Sequence, residues 1–282
     1  MEIICGKVDE ILKSLPDNSI DCCVTSPPYY NLRDYGIEGQ IGLEQTPEQY
    51  IDDLLVVFRE VRRTMKAAGT LWINIADSYA GSSKGKGAKP SGKQATNIGS
   101  LNNQNLQINF HSKTVKPKDM IGIPWMLAFA LRNDGWFLRS DIIWHKTNAM
   151  PNPVRDRPVS CYEHIFLLTK SAKYYFDYEA IKEPASGSTD LLGTRRSRDV
   201  WSMSKNNMHN KHYAAYPVKL AERCILAGCR KSGIVLDPFC GSGTTGEAAM
   251  RNERDCILID INAEYCTLTQ KRLSEYKQEV SI

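Results

Sequence analysis

The sequence lacks the features that mark membrane, secreted and metal-binding proteins. No apolar run reaches the ~20 residues that span a bilayer. The N-terminal residues MEIICGKVDE show no basic start followed by an apolar core. None of the nine cysteines forms a Cys-x-x-Cys pair, and an odd number suits neither a disulfide framework nor a zinc site. We therefore expect a cytoplasmic protein with reduced, buried thiols, no metal and no membrane partner.

Acidic residues are absent from one long stretch of the chain. Residues 81–118 contain seven lysines and no Asp or Glu, so the rest of the chain carries −3 (4 minus 7) of the overall charge of +4. A mildly acidic body with a basic segment rich in Gly, Ser and Asn suits a polyanionic partner. A solvated, flexible loop has the same composition, so both interpretations stay open.

Strand and helix patterns alternate at both ends of the chain. The predicted strands are 2–5, 20–25, 70–76, 137–144, 163–168, 233–236 and 256–259. The predicted helices are 8–14, 47–65, 120–132, 216–227, 243–250 and 263–276. Alternation of this kind predicts an α/β protein with a mostly parallel sheet, and the strands 137–144 and 163–168 are expected to form its antiparallel edge.

A glycine-rich loop follows the predicted strand 233–236. Gly241 and Gly243 permit a tight turn and a close approach of the backbone to a ligand. Asp260 ends the next strand, at the spacing of a carboxylate that binds ribose hydroxyls. With Gly246 the loop formally matches the dinucleotide fingerprint G-x-G-x-x-G, so an NAD-dependent oxidoreductase is an alternative. Only one strand and one helix follow, however, which is too little for a second dinucleotide-binding half.

A second loop, Thr25-Ser-Pro-Pro-Tyr29, suits methylation of a conjugated amine. The exocyclic nitrogen of cytosine or adenine is a poor nucleophile, because its lone pair is delocalised into the ring. Acceptors aimed at its N–H groups, such as the Ser26 hydroxyl and the Pro27 carbonyl, make it more tetrahedral while the methyl donor is held in line. Two successive prolines preorganise these acceptors, and Tyr29 offers a face on which a flipped base stacks. Alone, the motif is equally consistent with a structural turn.

Together the loops resemble those of the β-group of bacterial and phage N4-cytosine and N6-adenine DNA methyltransferases. The string 237–245 is similar to their D-P-F-x-G-S-G-T-T signature, and 26–29 to their catalytic S/D/N-P-P-Y loop. Similar segments extend over nearly the whole chain, at 15–21, 71–79, 135–146, 163–170 and 212–217. The resemblance implies a Rossmann-like, S-adenosylmethionine-dependent methyltransferase fold. Its seven-strand, mostly parallel sheet would be circularly permuted, with strand 2–5 beside strand 256–259.

The resemblance also implies the roles of individual residues. The implied catalytic residues are Ser26, Pro27, Pro28 and Tyr29. Segments 212–217 and 237–245 would enclose the methionine part of S-adenosylmethionine, Asp260 would bind its ribose, and S-adenosylhomocysteine would be the product. The implied cofactor-binding residues are Asp237, Pro238, Phe239, Cys240, Gly241, Ser242, Gly243, Thr244, Thr245, Asp260, His212 and Pro217. The chain departs from the family at Lys7, where members usually carry an Asp near the cofactor adenine, and at Cys240, which is often Ala.

Two basic segments, 81–118 and 194–212, are candidates for recognition of double-stranded DNA within a single catalytic domain spanning 1–282. Basic side chains would bind phosphates, while Asn, Gln and Arg would read base edges. The candidate DNA-binding residues are Lys84, Lys86, Lys89, Lys93, Lys113, Arg195, Arg196 and Arg198. For the first segment, a polar loop without specificity remains an alternative.

Serine at the first catalytic position favours cytosine, because adenine enzymes of the family more often carry Asp there. We therefore predict a site-specific DNA methyltransferase that acts on N4 of a flipped cytosine, with N6 of adenine as the alternative. Methylation of a protein glutamine amide and a catalytically inert DNA-binding module are further alternatives. A separate restriction endonuclease is a candidate partner. His145 and His164 lie in strand-like apolar runs, so we interpret them as core residues rather than general bases. A general base is not required, because the amino group can lose its proton after methyl transfer.

Overall fold

The computed structural model describes residues 1–80, 115–149, 154–185, 193–205 and 216–280. The strands in these ranges are β1 Glu2–Cys5, β2 Ile20–Thr25, β3 Met65–Ile75, β4 Phe137–Lys146, β5 Tyr162–Thr169, β6 Glu183–Pro184, β7 Thr194–Arg195, β8 Val200–Met203, β9 Ile234–Asp237 and β10 Asp255–Asp260. The helices are α1 Val8–Ser14, α2 Pro47–Thr64, α3 Ile123–Asn133, α4 Val218–Gly228, α5 Thr244–Arg251 and α6 Ala263–Val280. Every strand and helix that the sequence predicted is present, with shifted ends in most cases.

One mixed sheet organises the described part of the chain, with the strand order β1-β10-β9-β2-β3-β5-β4-β8. The first five strands of this order run parallel, and β5 runs antiparallel to both β3 and β4. The pairing of N-terminal β1 with C-terminal β10, which sets Glu2 beside Ile257, confirms the circularly permuted fold class. The sheet has eight strands rather than seven, because β8 adds in parallel to the outer edge of β4. The strands β6 and β7 form a separate antiparallel pair.

Helices cover both faces of this sheet, as expected for strands that are buried on both sides. Alternate residues of β2 enter opposite apolar layers, with Cys23 facing residues of α1, α2 and α3, and Cys22 facing residues of α4 and α5. The nine cysteines are all free; seven of them are buried, whereas Cys5 is exposed and Cys161 is partly exposed. Among the described residues, no helix is both long enough and apolar enough to cross a membrane.

The start of α3 shows why the predicted helix ends shifted. The pattern predicted a helix from residue 120, but the helix begins at Ile123, after Gly122 in a left-handed conformation with φ of 89°. The carboxylate of Asp77 accepts hydrogen bonds from the backbone N–H groups of Gly122 and Ile123, all at 3.0 Å. An acid distant in sequence therefore caps this helix, and periodicity alone carries no signal for such a cap.

The topology brings the two motif loops together. The strands β2, β9 and β10 are parallel neighbours, so their carboxyl ends meet at one edge of the sheet, where open α/β sheets bind ligands. The Pro-Pro loop leaves β2 after Thr25, the glycine loop leaves β9 at Asp237, and Asp260 ends β10. Because β5 is antiparallel, it contributes its first residues, including Glu163, to the same edge.

Candidate active site

A cleft of about 440 Å³ opens at this edge of the sheet. Its wall is formed by the Pro-Pro loop of residues 25–29, which we call the catalytic loop, together with the glycine loop and Asp260. The structure therefore places the two sequence motifs in one site. The predicted site residues that line the cleft are Ser26, Pro27, Pro28, Tyr29, Asp237, Pro238, Phe239, Cys240, Gly241, Ser242 and Asp260. Thr244 and Thr245 lie just behind them, in the first turn of α5.

The glycine loop owes its shape to backbone conformations that favour glycine. Gly241 and Gly243 have φ values of 51° and 78°, in the left-handed region. A Cβ on Gly243 would lie 2.6 Å from Cγ2 of Thr269, and one on Gly246 would lie 2.5 Å from Cδ1 of Leu258. The first two glycines therefore permit the turn, and Gly246 permits close packing of α5 on β10.

Asp260 lies in this cleft with a perturbed carboxyl group. Its Oδ2 accepts a hydrogen bond from the Gly241 N–H at 2.8 Å, and its Oδ1 accepts one from the Asn262 N–H at 2.9 Å. Burial raises the pKa of Asp260 to about 6, against the stabilising effect of these two N–H groups. Each oxygen keeps a second lone pair, which suits a ligand that carries two adjacent hydroxyl groups.

Asp237 connects the glycine loop to the catalytic loop. It is buried, and its Oδ1 accepts the Thr25 hydroxyl at 2.7 Å and the Phe239 N–H at 3.1 Å. Its Oδ2 accepts the hydroxyl groups of Thr245 and, at 3.3 Å, Tyr216. Burial raises the pKa of Asp237, which these donors oppose. Both oxygens thus have partners within the protein, so this acid fixes one loop against the other.

The catalytic loop is held by long-range hydrogen bonds as well as by its prolines. The carbonyl of Pro28 accepts the hydroxyl of Tyr50, from α2, at 2.7 Å. The hydroxyl of Tyr29 donates to Oε2 of Glu163, in β5, at 2.6 Å. Beyond the loop, the Asn31 N–H donates to the Gly42 carbonyl at 2.8 Å. These contacts fix both the backbone and the aromatic ring of the loop.

The segment between β2 and α2 forms a wall of the cleft that the sequence motifs did not indicate. Leu32, Tyr35 and Gln40 line the cleft, and the Tyr35 ring meets Tyr265 edge-on at 5.8 Å. The sequence carries one signal for this wall, a cluster of glycines at 36, 39 and 42 among aromatic and polar residues. In the structure all three glycines have positive φ. Such a cluster is typical of a compact functional loop.

Lys7, where the family usually has an Asp, also lines the cleft. It precedes α1, and its side chain packs against Gly39, where an added Cβ would lie 3.1 Å from Lys7 Cε. A cationic side chain therefore occupies the wall near Asp260, at a position where the resemblance implied an acid.

The structure places the remaining predicted residues in three groups. Pro217 lies directly before α4, whereas His212 and the lysines Lys84, Lys86, Lys89, Lys93 and Lys113 lie outside the described residues. Arg195 pairs with Glu183 at 3.0 Å, Arg196 lies 4.6 Å from the centre of the Tyr178 ring, and the Arg198 carbonyl accepts the Trp201 indole N–H at 2.8 Å. All three arginines lie near the β8 edge of the sheet.

The two histidines lie at the antiparallel side of the site. His164 is buried, its Nδ1 is 2.9 Å from Asp141 Oδ1, and its ring stacks on Phe166. His145 was expected in the core, but it is partly exposed, with its Nδ1 3.1 Å from the Ser202 hydroxyl. Neither histidine is among the described residues that line the cleft.

The permuted mixed sheet carries two loops side by side, a glycine loop with an acid after the next strand and a Ser-Pro-Pro-Tyr loop. This arrangement is that of a Rossmann-like methyltransferase. Comparison with known proteins specifies it further: the profile of the N6/N4 family, described as DNA methylase, matches residues 20–271. The chain belongs to this family, and the prediction of a DNA methyltransferase is confirmed.

Relatives and solved structures agree with this assignment. The type II methyltransferase M.SmaI of Serratia marcescens is 46% identical over 275 residues, which cover 96% of this chain and 90% of that protein. M.Cfr9I of Citrobacter freundii is 43% identical over 268 residues, which cover 95% of this chain and 86% of that protein. The fold matches the cytosine-N4-specific PvuII DNA methyltransferase with a TM-score of 0.69 at 20% identity, covering 96% of this chain and 85% of that one. It also matches TTHA0409 of Thermus thermophilus, solved with S-adenosyl-L-methionine, with a TM-score of 0.64 at 24% identity, covering 97% and 93%.

Proposed function

We propose that the protein transfers a methyl group to the exocyclic N4 of a flipped cytosine in double-stranded DNA, with N6 of adenine as the alternative target. The observation that carries this proposal is the position of Ser26 and Tyr29 in one cleft with the glycine loop and Asp260. The neutral hydroxyl of Ser26 also favours cytosine, because adenine enzymes of the family more often carry Asp at this position.

The residues around Asp260 fit S-adenosylmethionine. The Asp260 carboxylate is fixed by two backbone N–H groups and would accept the ribose hydroxyls, and the glycine loop permits close approach of the methionine part. Bound there, the cofactor supplies an electrophilic methyl group, and its product is S-adenosylhomocysteine.

The catalytic loop would act on the target amine through oriented acceptors. The Ser26 hydroxyl and the Pro27 carbonyl would accept its N–H groups, which directs the nitrogen lone pair towards the methyl donor. The ring of Tyr29, held at its hydroxyl, would stack on the flipped base, a contact typically worth ~1–3 kcal/mol. No covalent intermediate with the protein is needed.

The basic segments 81–118 and 194–212 would bind and read the DNA around the target, within a single catalytic domain of residues 1–282. Arg195, Arg196 and Arg198 would contribute phosphate contacts from the β8 edge. Because the relatives are named type II methyltransferases, we propose a separate cognate restriction endonuclease as a functional partner in the cytoplasm of a bacterial or phage-infected cell.

The direct test is to incubate the protein with labelled S-adenosylmethionine and unmethylated genomic DNA, and to identify the methylated nucleoside by mass spectrometry. We expect N4-methylcytosine, and we expect Ser26→Ala and Tyr29→Ala to lower its formation by ~100-fold or more. Ser14→Ala is a matched control, since Ser14 is exposed in α1 and its hydroxyl donates to the nearby Ile11 carbonyl. N6-methyladenine would overturn the choice of base. If no label enters the DNA, the assay is repeated on cell lysate. Label that then enters protein would favour the glutamine-amide alternative.

A further inference from the structure

The hydroxyl of Tyr29 points away from the cleft into a network of polar side chains. It donates to Glu163 Oε2 at 2.6 Å, and Asn74 Oδ1 lies 3.4 Å away. Asn74 is itself fixed, because its amide donates to the His164 carbonyl at 3.2 Å. Burial raises the pKa of Tyr29 and the neighbouring Glu163 raises it further, so this hydroxyl stays protonated and remains a donor.

The second oxygen of Glu163 forms an ion pair with Lys146. The side chains of Glu163 and Lys146 are only 11% and 10% exposed. Their positions follow from the sheet, since β4 and β5 pair Trp144 directly with Glu163, and Lys146 lies two residues further along β4. The Lys146 ammonium also lies 5.1 Å from the centre of the Trp144 ring.

A buried ion pair is a costly way to stabilise a fold. The desolvation of two charges often exceeds their mutual attraction, and apolar residues of similar size are frequently as stable. Here the pair lies directly behind the aromatic ring of the catalytic loop. Neither Glu163 nor Lys146 is among the described residues that line the cleft, and the Tyr29 hydroxyl connects the pair to the catalytic loop.

We propose that Glu163 is a positioning residue for methyl transfer. By accepting the Tyr29 hydroxyl it fixes the plane of the ring on which the target base stacks, and Lys146 holds Glu163 in place. This inference rests on the proposed role of Tyr29 in the reaction. Its physical basis is the sensitivity of an in-line transfer to small displacements of the reacting atoms, since errors of about 1 Å cost up to ~100-fold in rate.

A double-mutant cycle tests the proposal. The variants are Tyr29→Phe, which keeps the ring and loses the hydroxyl, Glu163→Gln, and the two combined. At saturating DNA and cofactor, we expect each single variant to lower the single-turnover methylation rate ~10-fold. The combined variant should be no slower than the slower single one, because both changes break the same contact. The affinity for S-adenosylmethionine should stay within about twofold of wild type, which separates positioning from damage to the cofactor site.

Glu60→Gln is the matched control. Glu60 accepts the Arg63 guanidinium at 2.8 Å within α2 and does not line the cleft, so its loss should leave the rate unchanged. Two results would overturn the proposal: a rate within twofold of wild type for either single variant, or single effects that multiply in the combined variant. Tyr29→Phe leaves the buried ion pair intact, so it decides the question even if Glu163→Gln fails to fold. A wild-type protein that does not methylate DNA would overturn the proposed function instead.

Discussion

Two carboxylates hold the two ends of the catalytic loop, and they do so in contrasting ways. At the first end, Asp237 accepts the Thr25 hydroxyl, and its other partners are uncharged hydroxyl and backbone N–H groups. At the second end, Glu163 accepts the Tyr29 hydroxyl, and its other partner is the ammonium of Lys146. Asp237 belongs to the parallel part of the sheet and Glu163 to the antiparallel strand.

This difference separates two tasks. Asp237 joins the catalytic loop to the cofactor loop, so its removal should affect stability and cofactor binding together. Glu163 joins the same loop to the antiparallel strand β5, behind the ring on which the target base would stack. Its removal should therefore lower the rate of methyl transfer. In the proposed mechanism, the groups that act on the target amine lie between the two ends, at Ser26 and the prolines.

The largest effect is expected on the methylation rate, from removal of the Ser26 hydroxyl, which lies between the two ends of the catalytic loop. Ser26→Ala should lower the single-turnover rate by ~100- to 1000-fold, the range found when one preorganised polar group is removed from a transition-state site. Cofactor affinity, measured by calorimetry, should be unchanged. A rate within tenfold of wild type would show that the Pro27 carbonyl alone is sufficient.

The second effect is on stability. Asp237→Asn places an NH₂ group against hydroxyl donors, so a buried group loses its partner, and the free energy of unfolding in urea should fall by ~2–4 kcal/mol. Asp134→Asn is the control, because Asp134 pairs with the largely exposed Arg59 and should cost less than ~1 kcal/mol. Equal losses in the two variants would remove the special role of Asp237.

The third effect concerns pH, through Asp260. If its ionised carboxylate accepts the ribose hydroxyls, the Kd for S-adenosylmethionine should rise as the pH falls below about 6, by up to ~10-fold per unit. Asp260→Asn should bind more weakly and show no such dependence. Titration calorimetry between pH 5 and 8 measures both. A flat profile in the wild type would contradict the assignment of Asp260 to the ribose.

The same carboxyl has the opposite effect on folding. Because its folded pKa is raised from 3.8 to about 6, its contribution to stability is fully present below the lower value and is lost as the pH rises to about 6. Affinity and stability should therefore change in opposite directions across this window, and Asp260→Asn should remove both changes.

The smallest effect is expected at the first end of the loop. Thr25→Val removes one of the donors to Asp237 and should lower the free energy of unfolding by ~1 kcal/mol. The exposed Thr267, whose hydroxyl bonds the Ala263 carbonyl of its own helix, provides a matched Thr→Val control with little change. A Thr25→Val loss above ~3 kcal/mol would mean that the link to Asp237 is worth more than one hydrogen bond.

The features predictable from sequence were those fixed by local patterns. The strand ends that carry Ser26, Asp237 and Asp260 follow from apolar runs and from glycines at positive φ, and the permuted order followed from the family resemblance. The contact between Tyr29 and Glu163 joins residues 134 apart in sequence, and no pattern links them. The strand β8 was missed because four residues, VWSM, form an edge strand only through pairing with β4.

The most direct test of the account is a crystal structure of the protein with S-adenosylhomocysteine and DNA that contains its methylation site. We expect a flipped cytosine whose N4 lies at ~3 Å from the Ser26 hydroxyl, with its ring stacked on Tyr29. A target base that stays in the duplex, or that binds away from Ser26 and Tyr29, would contradict it.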